Sequence, residues 1–363
     1  MKLILIFLAS LHLFASNEDQ VCKSCHPNIY NEFKSSIHSK SSKHDDEIHK
    51  VVWDTHPDKK ANNYTCKECH SSSQNEASIS CLSCHQISDI SKHTEQNENK
   101  RTTKKKYFYS ADISQKGTIK EFKKDDSFMG LFSKNSGSPY HTIDYSNQNY
   151  YDGQMCMGCH SHKTNKKGID ACRIDDAEIS KNGNNCITCH MPQIKGSSTS
   201  IKITKTHAFH GFAGVHNAPQ MLGKYLKMEI VQTKKGFEVL LHNNSPHPFL
   251  LQPLRMAVLD IQINSKKLKP TVFARVLGDD ENKPTMPWDA TKVLSDTMLK
   301  ADEHKSFYFD EKLKRGDKIE AQFGFFVVNP KAKEKLELQN NKTANKFIVF
   351  KTITLKIKEP TAQ

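Results

Sequence analysis

Apolar residues are scarce in this chain of 363 residues, of which only 36% are hydrophobic. Adding the 15 glycines raises the share to about 40%, below the roughly 45–50% that is typical of soluble domains. After the N-terminal segment, no run approaches the roughly 18 uninterrupted apolar residues that a membrane span needs, which excludes a long membrane protein. The length predicts about two domains. Either part of the chain is therefore disordered, or something other than side chains supplies part of the core.

The N-terminal segment MKLILIFLASLHLFAS has the three parts of a secretory signal peptide. Lys2 is a short positive region, Leu3 to Phe14 are mostly apolar, and cleavage is expected near Ala15 or Ser16. The apolar run is short for a membrane anchor, and no cysteine follows it directly for lipid attachment. We therefore predict a signal peptide over residues 1–16, a periplasmic mature chain and no membrane span in that chain.

Ten of the eleven cysteines fall into five copies of the pattern Cys-x-x-Cys-His. Random ordering of this composition would give about 0.02 copies, and the pattern is the attachment signature of c-type haem. Two thiols add to the two vinyl groups of one haem, and the adjacent histidine binds its iron as the proximal ligand. The pattern predicts five covalently bound haem c groups. The thioether cysteines are Cys22, Cys25, Cys66, Cys69, Cys81, Cys84, Cys156, Cys159, Cys186 and Cys189, and the proximal ligands are His26, His70, His85, His160 and His190.

Three other uses of paired cysteines explain the pattern less well. A zinc ribbon has no reason to place histidine after every second cysteine. A thioredoxin-like pair usually occurs once and in a βαβ context. A disulfide framework suits an exported protein but leaves five adjacent histidines unexplained.

A six-coordinate haem iron needs a second ligand, which in multihaem proteins is most often histidine. Thirteen histidines lie outside the motifs and the predicted signal peptide, for at most five places. After the first motif, Ile29, Phe33 and Ile37 recur at helical spacing, and His38 follows on a neighbouring face. His56, ten residues before the second motif, is a further candidate, with His93 and His162 in reserve.

Several segments resemble the periplasmic multihaem cytochromes related to hydroxylamine oxidoreductase and to the tetrahaem cytochrome of ammonia oxidisers. These segments are CKSCHPNIYNEFKSSIHSK, CLSCHQISDI, SFMGLFSKNSGSPYHT, HGFAGVHNAPQML and HNNSPHPFLLQPLR. The resemblance covers roughly residues 20–260. It implies distal ligands at His38, His141, His210 and His247, with His216 as the fallback for His210. Five motifs are more than the tetrahaem cytochrome has and fewer than hydroxylamine oxidoreductase has, so the resemblance transfers no catalytic role.

The order of motifs predicts an α+β fold. Residues 17–218 are expected to form a mostly helical and irregular pentahaem domain, in which the short step between the second and third motifs makes those two haems neighbours. After Pro219 cysteines are absent, and period-two apolar runs predict an antiparallel Ig-like β-sandwich over residues 219–363, with a scaffold role. The runs are Tyr225–Val231, Phe237–Leu241, Met256–Ile263, Phe307–Phe309, Ile319–Phe325 and Phe347–Ile357.

The formal charge of +13 changes once cofactors are counted. Cleavage of the signal peptide removes Lys2 and lowers the charge to +12. Each bis-histidine haem brings about −1 in the ferric state and −2 in the ferrous state, so five haems leave the mature chain at about +7 when oxidised and +2 when reduced. Nucleic acid is therefore not an expected partner. Between Asn99 and Lys124, nine Lys and Arg residues face two acidic ones, which indicates a solvated loop or a docking surface for an acidic redox partner.

Two functions follow from these features. The first is electron transfer between periplasmic or membrane-bound redox proteins through closely packed, mostly bis-histidine haems. The second is a haem-based oxidoreductase acting on nitrite, hydroxylamine or a sulfur oxyanion at one open haem, with catalytic residues that the sequence does not reveal. A third, less favoured reading is a structural subunit that docks another oxidoreductase through its β domain. Cys172, the cysteine outside the motifs, is read as an inert thiol, with an axial or sulfur-substrate role as the alternative. The sequence leaves the oligomeric state open.

Overall fold

The computed structural model describes residues 17–72, 76–91, 97–124, 136–174, 183–249 and 252–359. The predicted signal peptide and the reserve ligand His93 lie outside these ranges. Within them the α-helices are short, and none is long and apolar enough to cross a membrane. They are Asn17–Lys23, Pro27–Ser35, Glu47–Thr55, Lys67–His70, Cys81–His85, Asn149–Asp152, Met157–His160, Cys186–His190, Pro330–Lys335 and Lys342–Asn345.

Contacts between Cα atoms divide the chain into two compact units. The first comprises residues up to 87, 102–146 and 191–212, and the second comprises 88–101, 147–190 and 213–363. The division differs from the predicted domain boundary between residues 218 and 219, because the fourth and fifth motifs belong to the same unit as the C-terminal strands. Within that unit the Asn165 amide donates to the carbonyl oxygens of Pro287 (2.8 Å) and Ala290 (2.7 Å).

In the first unit, the helix Pro27–Ser35 follows the first motif directly. Proline occupies its first turn, where the missing N–H costs no hydrogen bond. The helix buries Tyr30 and Phe33. It ends before Ile37 because the Ser36 hydroxyl and N–H both donate to the Phe33 carbonyl oxygen, so the predicted apolar spacing continues beyond the helix itself.

The helix Glu47–Thr55 precedes the second motif in the same unit. The Asp46 carboxylate caps it by accepting from the Ile48 N–H at 2.9 Å. Its buried residues are His49 and Trp53, which lie four positions apart and therefore on one face. The helix thus buries a histidine close to a haem-attachment motif.

Small sheets connect the motif helices. The strands before residue 219 are β1 (Ile87–Ser91), β2 (Glu98–Arg101), β3 (Tyr107–Tyr109), β4 (Ile119–Lys120), β5 (Thr142–Asp144), β6 (Lys163–Thr164), β7 (Asp170–Cys172), β8 (Gln193–Lys195) and β9 (Thr206–Ala208). In the first unit β5 lies between β3 and β4, and β8 pairs with β9. His141 immediately precedes β5 and His210 follows β9 by two residues, so both histidines are held at strand ends.

The six predicted C-terminal runs all overlap strands, although Tyr225, Phe347 and Ile357 lie just outside them. The strands of this region are β10 (Leu226–Thr233), β11 (Gly236–Asn243), β12 (Met256–Ile263), β13 (Lys266–Lys267), β14 (Thr271–Phe273), β15 (Arg275–Gly278), β16 (Lys292–Asp296), β17 (His304–Asp310), β18 (Lys318–Phe326) and β19 (Ile348–Lys356). One antiparallel sheet has the order β10-β11-β17. A second has the order β13-β12-β18-β19, with β14 also pairing with β12.

One hydrophobic core joins these two sheets. Phe237, Val239 and Leu241 contribute alternate side chains from β11 and are buried. Leu259 on β12 and Phe323 on β18 contribute to the same cluster with no measurable exposure. Each such side chain stabilises the fold by about 1.5–3 kcal/mol relative to its exposed state. The shared core packs the two sheets against each other. The Ig-like description of these strands stays a prediction.

Candidate functional site

Each Cys-x-x-Cys-His motif lies on a single helical turn. In the first motif the N–H groups of Cys25 and His26 donate to the Cys22 carbonyl oxygen at 3.2 and 2.9 Å. The second motif closes in the same way, with the His70 N–H donating to the Cys66 carbonyl oxygen at 3.0 Å. One turn places the two thiols and the histidine of a motif close enough to serve one porphyrin. None of the described cysteines forms a disulfide bond.

Four motif histidines have their Nδ1 atom at a backbone carbonyl oxygen. The distances are 2.7 Å from His26 to Ser198, 3.1 Å from His70 to Ser41, 2.7 Å from His85 to Tyr109 and 2.6 Å from His190 to Ala213. Because a carbonyl oxygen only accepts, Nδ1 carries the proton and Nε2 keeps its lone pair. This is the tautomer and the fixed ring orientation that a metal-binding histidine requires.

Three motif histidines each have a second, near-parallel histidine ring opposite them. The ring centroids are 6.4 Å apart for His26 and His141, 6.2 Å for His85 and His210, and 6.2 Å for His190 and His247. The interplanar angles are 28°, 17° and 15° in the same order. Two imidazoles on one metal, with bonds of about 2.0 Å to Nε2, have centroids about 6.3 Å apart. The separations therefore fit one iron between each pair.

A fourth histidine pair in the second unit has a different geometry. The rings of His242 and His304, on adjacent strands, are 3.6 Å apart and stack directly. Directly stacked histidine rings in this protein thus lie at 3.6 Å, much closer than the 6.2–6.4 Å between motif histidines and their partners.

Local hydrogen bonds position two of the partner histidines. The Nδ1 atoms of His210 and His247 donate to the carbonyl oxygens of Ala208 (2.7 Å) and Pro248 (2.8 Å). The loop that carries His247 is fixed by the buried Asn243, whose amide donates to the His247 carbonyl oxygen at 3.0 Å. Both histidines thus present the nitrogen that a metal needs.

Burial favours the neutral form of four of the paired imidazoles. It lowers the pKa of His85, His190 and His247 below the ordinary histidine value, and it lowers the pKa of His210 to about 4. For His210 the neighbouring His85 adds to this effect. Neutral imidazole is the form that binds a metal, so these rings are ready for iron near pH 7.

Beside the second motif the structure places His49, which the sequence reasoning missed, and not His56. The rings of His49 and His70 are 4.3 Å apart and tilted by 54°, and the Nδ1 of His49 donates to the Ser41 carbonyl oxygen at 2.7 Å. The one sequence signal for burial of His49 is that it precedes Trp53 by four residues, which places both side chains on the same face of the helix.

His56 occupies a capping position instead. Its Nδ1 accepts from the Asp58 N–H at 3.2 Å, and its ring lies 6.0 Å from that of Trp53. These contacts come from the turn between two helical segments, which is why nearness to the second motif in sequence does not place His56 beside His70.

The other histidine candidates have varied surroundings. The ring of His38, in a 3-10 helix, packs on Phe212 with centroids 4.3 Å apart. His162 contacts the Asn97 amide at 3.3 Å. The Arg255 guanidinium donates to the Nε2 of His216 at 3.3 Å. This bond occupies the Nε2 of His216. The ring that faces a motif histidine is that of His210, opposite His85, and not that of the fallback His216.

First cysteines of different motifs touch within each unit. The pKa of Cys81 is raised by its hydrogen bond with Cys22, and the pKa of Cys186 is lowered by its hydrogen bond with Cys156. The sequence predicted that the second and third motifs are neighbours. The observed contacts join the first motif to the third and the fourth to the fifth.

Close backbone approach permits the second of these contacts. Gly153, three residues before the fourth motif, has φ = +81°, and a Cβ there would lie 2.8 Å from the Cβ of Cys186. A side chain at residue 153 would therefore separate the two motifs.

The residues present fit c-type haem: paired thiols on one turn, a histidine with an available Nε2, and in three cases a second histidine at iron-spanning distance. No protein-family model and no curated protein matches the chain. A solved structure of a penta-heme cytochrome c552 from Thermochromatium tepidum is similar to it, with a TM-score of 0.66 and 19% sequence identity. The alignment covers 93% of this chain and 98% of that one. At this identity the likeness shows a common fold.

Proposed function

We propose that this chain is a periplasmic pentahaem c-type cytochrome that carries electrons between redox proteins. The observation that carries the proposal is the set of three histidine pairs at 6.2–6.4 Å, each joining a motif histidine to a partner distant in sequence. Haem, when attached, supplies a one-electron iron couple. The fold shared with a penta-heme cytochrome c552 supports the count of five.

The protein's own residues fix the iron environment in this proposal. The motif cysteines would hold the porphyrins, and His141, His210 and His247 would bind the irons held by His26, His85 and His190. His38 stays a proposed distal ligand, whereas the placement of His56 does not support that role. The Nδ1–H···O=C bonds of the motif histidines set ring orientation and raise ligand basicity, which tunes the reduction potential.

Two histidines on one iron leave no position for a substrate. The three pairs therefore favour electron transfer over turnover at the first, third and fifth motifs. The contacts of Cys22 with Cys81 and of Cys156 with Cys186 support passage of electrons within each unit, because porphyrins attached to these cysteines would be held close to one another.

The part of the basic segment Asn99–Lys124 that lies in the first unit is residues 102–124, here called the basic insert, and it supports docking of an acidic redox partner. Exposed lysines alternate there with apolar side chains, of which Ile113 is 80% exposed, Ile119 51% and Phe122 40%. Its strand β4 pairs with β5, which begins directly after His141. Opposite charge would steer an acidic partner toward the haem proposed at His26 and His141.

Mass spectrometry and low-temperature EPR of the purified ferric protein test the proposal. We expect the mass of a chain lacking residues 1–16 or nearly so, plus five haems, and low-spin signals that account for most of the iron. Any other number of haems contradicts the count. A high-spin signal that shifts when nitrite or hydroxylamine is added would instead establish the oxidoreductase.

A further inference from the structure

A cavity of about 610 Å³ opens in the second unit next to the fifth motif. It lies where the 3-10 helix Pro219–Tyr225 enters β10, beside the end of β11. Volumes of roughly 300–1,000 Å³ are typical of small-molecule sites. The residues that matter for its chemistry are Asn184, Lys224, Tyr225, Lys227, His242 and Asp302.

Tyr225 forms the wall between this cavity and the fifth motif. Its side chain is 9% exposed, and its hydroxyl donates to Oδ1 of Asn184 at 3.2 Å. The pKa of Tyr225 is raised by burial and by the adjoining Cys189 side chain, with which it is hydrogen-bonded. The cavity is therefore one phenol ring away from the second thioether cysteine of that motif.

The lining of the cavity is cationic. The Lys224 ammonium lies 5.0 Å from the centre of the Tyr225 ring, and Lys227 pairs across the strands with His242. Among the residues that the structure describes, neither lysine forms an ion pair with a carboxylate. Among the described lining residues Asp302 supplies the one carboxylate, so two ammonium groups face one negative charge.

These features select for an anion. Unpaired ammonium groups at the rim of a concave site attract negative charge, and charge-assisted bonds to oxyanions are the strongest that lysine makes. The Asn244 N–H is already committed to the Tyr225 carbonyl oxygen at 2.7 Å, which holds the loop at the edge of the cavity in place. The cavity opens to solvent, so a small free anion can reach these groups.

We infer that this cavity binds a small oxyanion, of the phosphate, sulfur-oxyanion or di- and tricarboxylate class, beside the porphyrin edge attached to Cys189. Binding of the anion rests only on the cavity. Its consequence for electron transfer rests on the proposed function. A negative charge next to that porphyrin favours the oxidised iron, so the bound anion lowers the potential of the fifth haem.

Calorimetric titration of the purified holoprotein with inorganic phosphate at constant ionic strength tests the inference. We expect saturable binding that the double variant Lys224→Gln/Lys227→Gln weakens by about tenfold or more. The control is Lys234→Gln/Lys235→Gln, in the turn at the other end of the same hairpin, which removes the same charge and should leave phosphate binding unchanged.

Absence of saturable binding in the unaltered protein, or equal weakening in both variants, overturns the inference. Potentiometry of the same samples supplies the second readout: phosphate should shift one of five haem potentials downward, and the shift should disappear in Lys224→Gln/Lys227→Gln. A phosphate shift that survives in this variant contradicts the assigned site. The haem content of each sample distinguishes a failure of the anion site from a failure of the proposed function. A chain that binds phosphate but lacks haem contradicts only the proposed function.

Discussion

The Glu32 carboxylate holds the backbone of His210 in place. One oxygen accepts from the His210 N–H at 2.9 Å, and the other lies 2.8 Å from Nε2 of His207. The Nδ1 of His207 lies 3.0 Å from the Gly196 carbonyl oxygen, and the side chain of His207 is only 2% exposed. Glu32 thus links the helix of the first motif to the strand end from which His210 faces His85.

Replacing Glu32 by glutamine should loosen this link. The amide keeps one acceptor oxygen but presents an NH2 group to a donor, which costs about 2–3 kcal/mol of unfolding free energy. Urea unfolding measures that cost. EPR supplies the readout specific to positioning, because one low-spin species should change its g values while the others stay the same. Glu121→Gln, an exposed carboxylate in the same unit, is the control, and identical EPR spectra for both variants would contradict the assigned role.

Each of the three proposed distal histidines should be individually removable. His141→Ala, His210→Ala and His247→Ala each take away the second ligand of one iron, so each should convert one of five haems from low to high spin. His216→Ala is the matched control, since the Arg255 guanidinium engages its Nε2. Low-spin spectra that survive in all three variants would show that other residues bind these irons.

Sequence patterns predicted the motif histidine of each pair directly, whereas the partner histidine was only suggested by the flanking resemblance. The adjacency of cysteine and histidine would fix His190 beside a porphyrin attached to its motif, so counting motifs suffices to predict this residue. His247 lies far along the chain, and its position depends on Asn243 and the strand ends around it. The flanking resemblance implied His247 as a distal ligand, and the structure places its ring 6.2 Å from that of His190. His49 had no such segment, and nearness along the chain favoured His56 instead.

The β-strands show the same limit. Alternating runs such as Ile319–Phe325 predicted their strands because burial on one sheet face imposes period two. Strands of two to four residues, such as β13 and β14, are too short for a period to appear. The two compact units also divide the chain at positions other than the predicted boundary between residues 218 and 219. Asn165 and the carbonyl of Pro287 meet through a hydrogen bond that no local pattern encodes.

Removing the thiol of Cys172 should leave the haems unchanged. Its sulfur donates to the carbonyl oxygen of His160 at 2.8 Å, so the thiol contacts the backbone of the fourth motif's histidine. Serine preserves this donor, and Cys172→Ser should match the unaltered protein in visible and EPR spectra, with a stability change below about 1 kcal/mol. Loss of a low-spin signal in this variant would instead show that the sulfur is an iron ligand.

Charge reversal in the basic insert should slow an acidic electron donor. In Lys120→Glu/Lys123→Glu, stopped-flow reduction by an acidic ferredoxin at low ionic strength should fall by about tenfold. The difference should vanish at high salt because exposed charges are screened there. Lys202→Glu/Lys205→Glu changes the same charge elsewhere in the first unit. Equal slowing by both variants would attribute the effect to net charge and remove the docking assignment.

Alanine substitutions at Gly153 and Gly168 distinguish the cost of backbone strain from the cost of disturbing the contact between two motifs. Both have positive φ, at +81° and +79°, so alanine at either residue costs about 1 kcal/mol in backbone conformation. Gly168 has no atom within 4 Å of an added Cβ, whereas at Gly153 the added atom would lie 2.8 Å from the Cβ of Cys186.

Gly153→Ala must therefore push the fifth motif away from the fourth, and Gly168→Ala must not. Urea unfolding should show a loss for Gly153→Ala that exceeds the loss for Gly168→Ala by about 1–3 kcal/mol. Potentiometry should show weaker coupling between two of the five haems in the first variant only. Equal behaviour of the two variants would mean that the approach of residue 153 to Cys186 does not hold these motifs together.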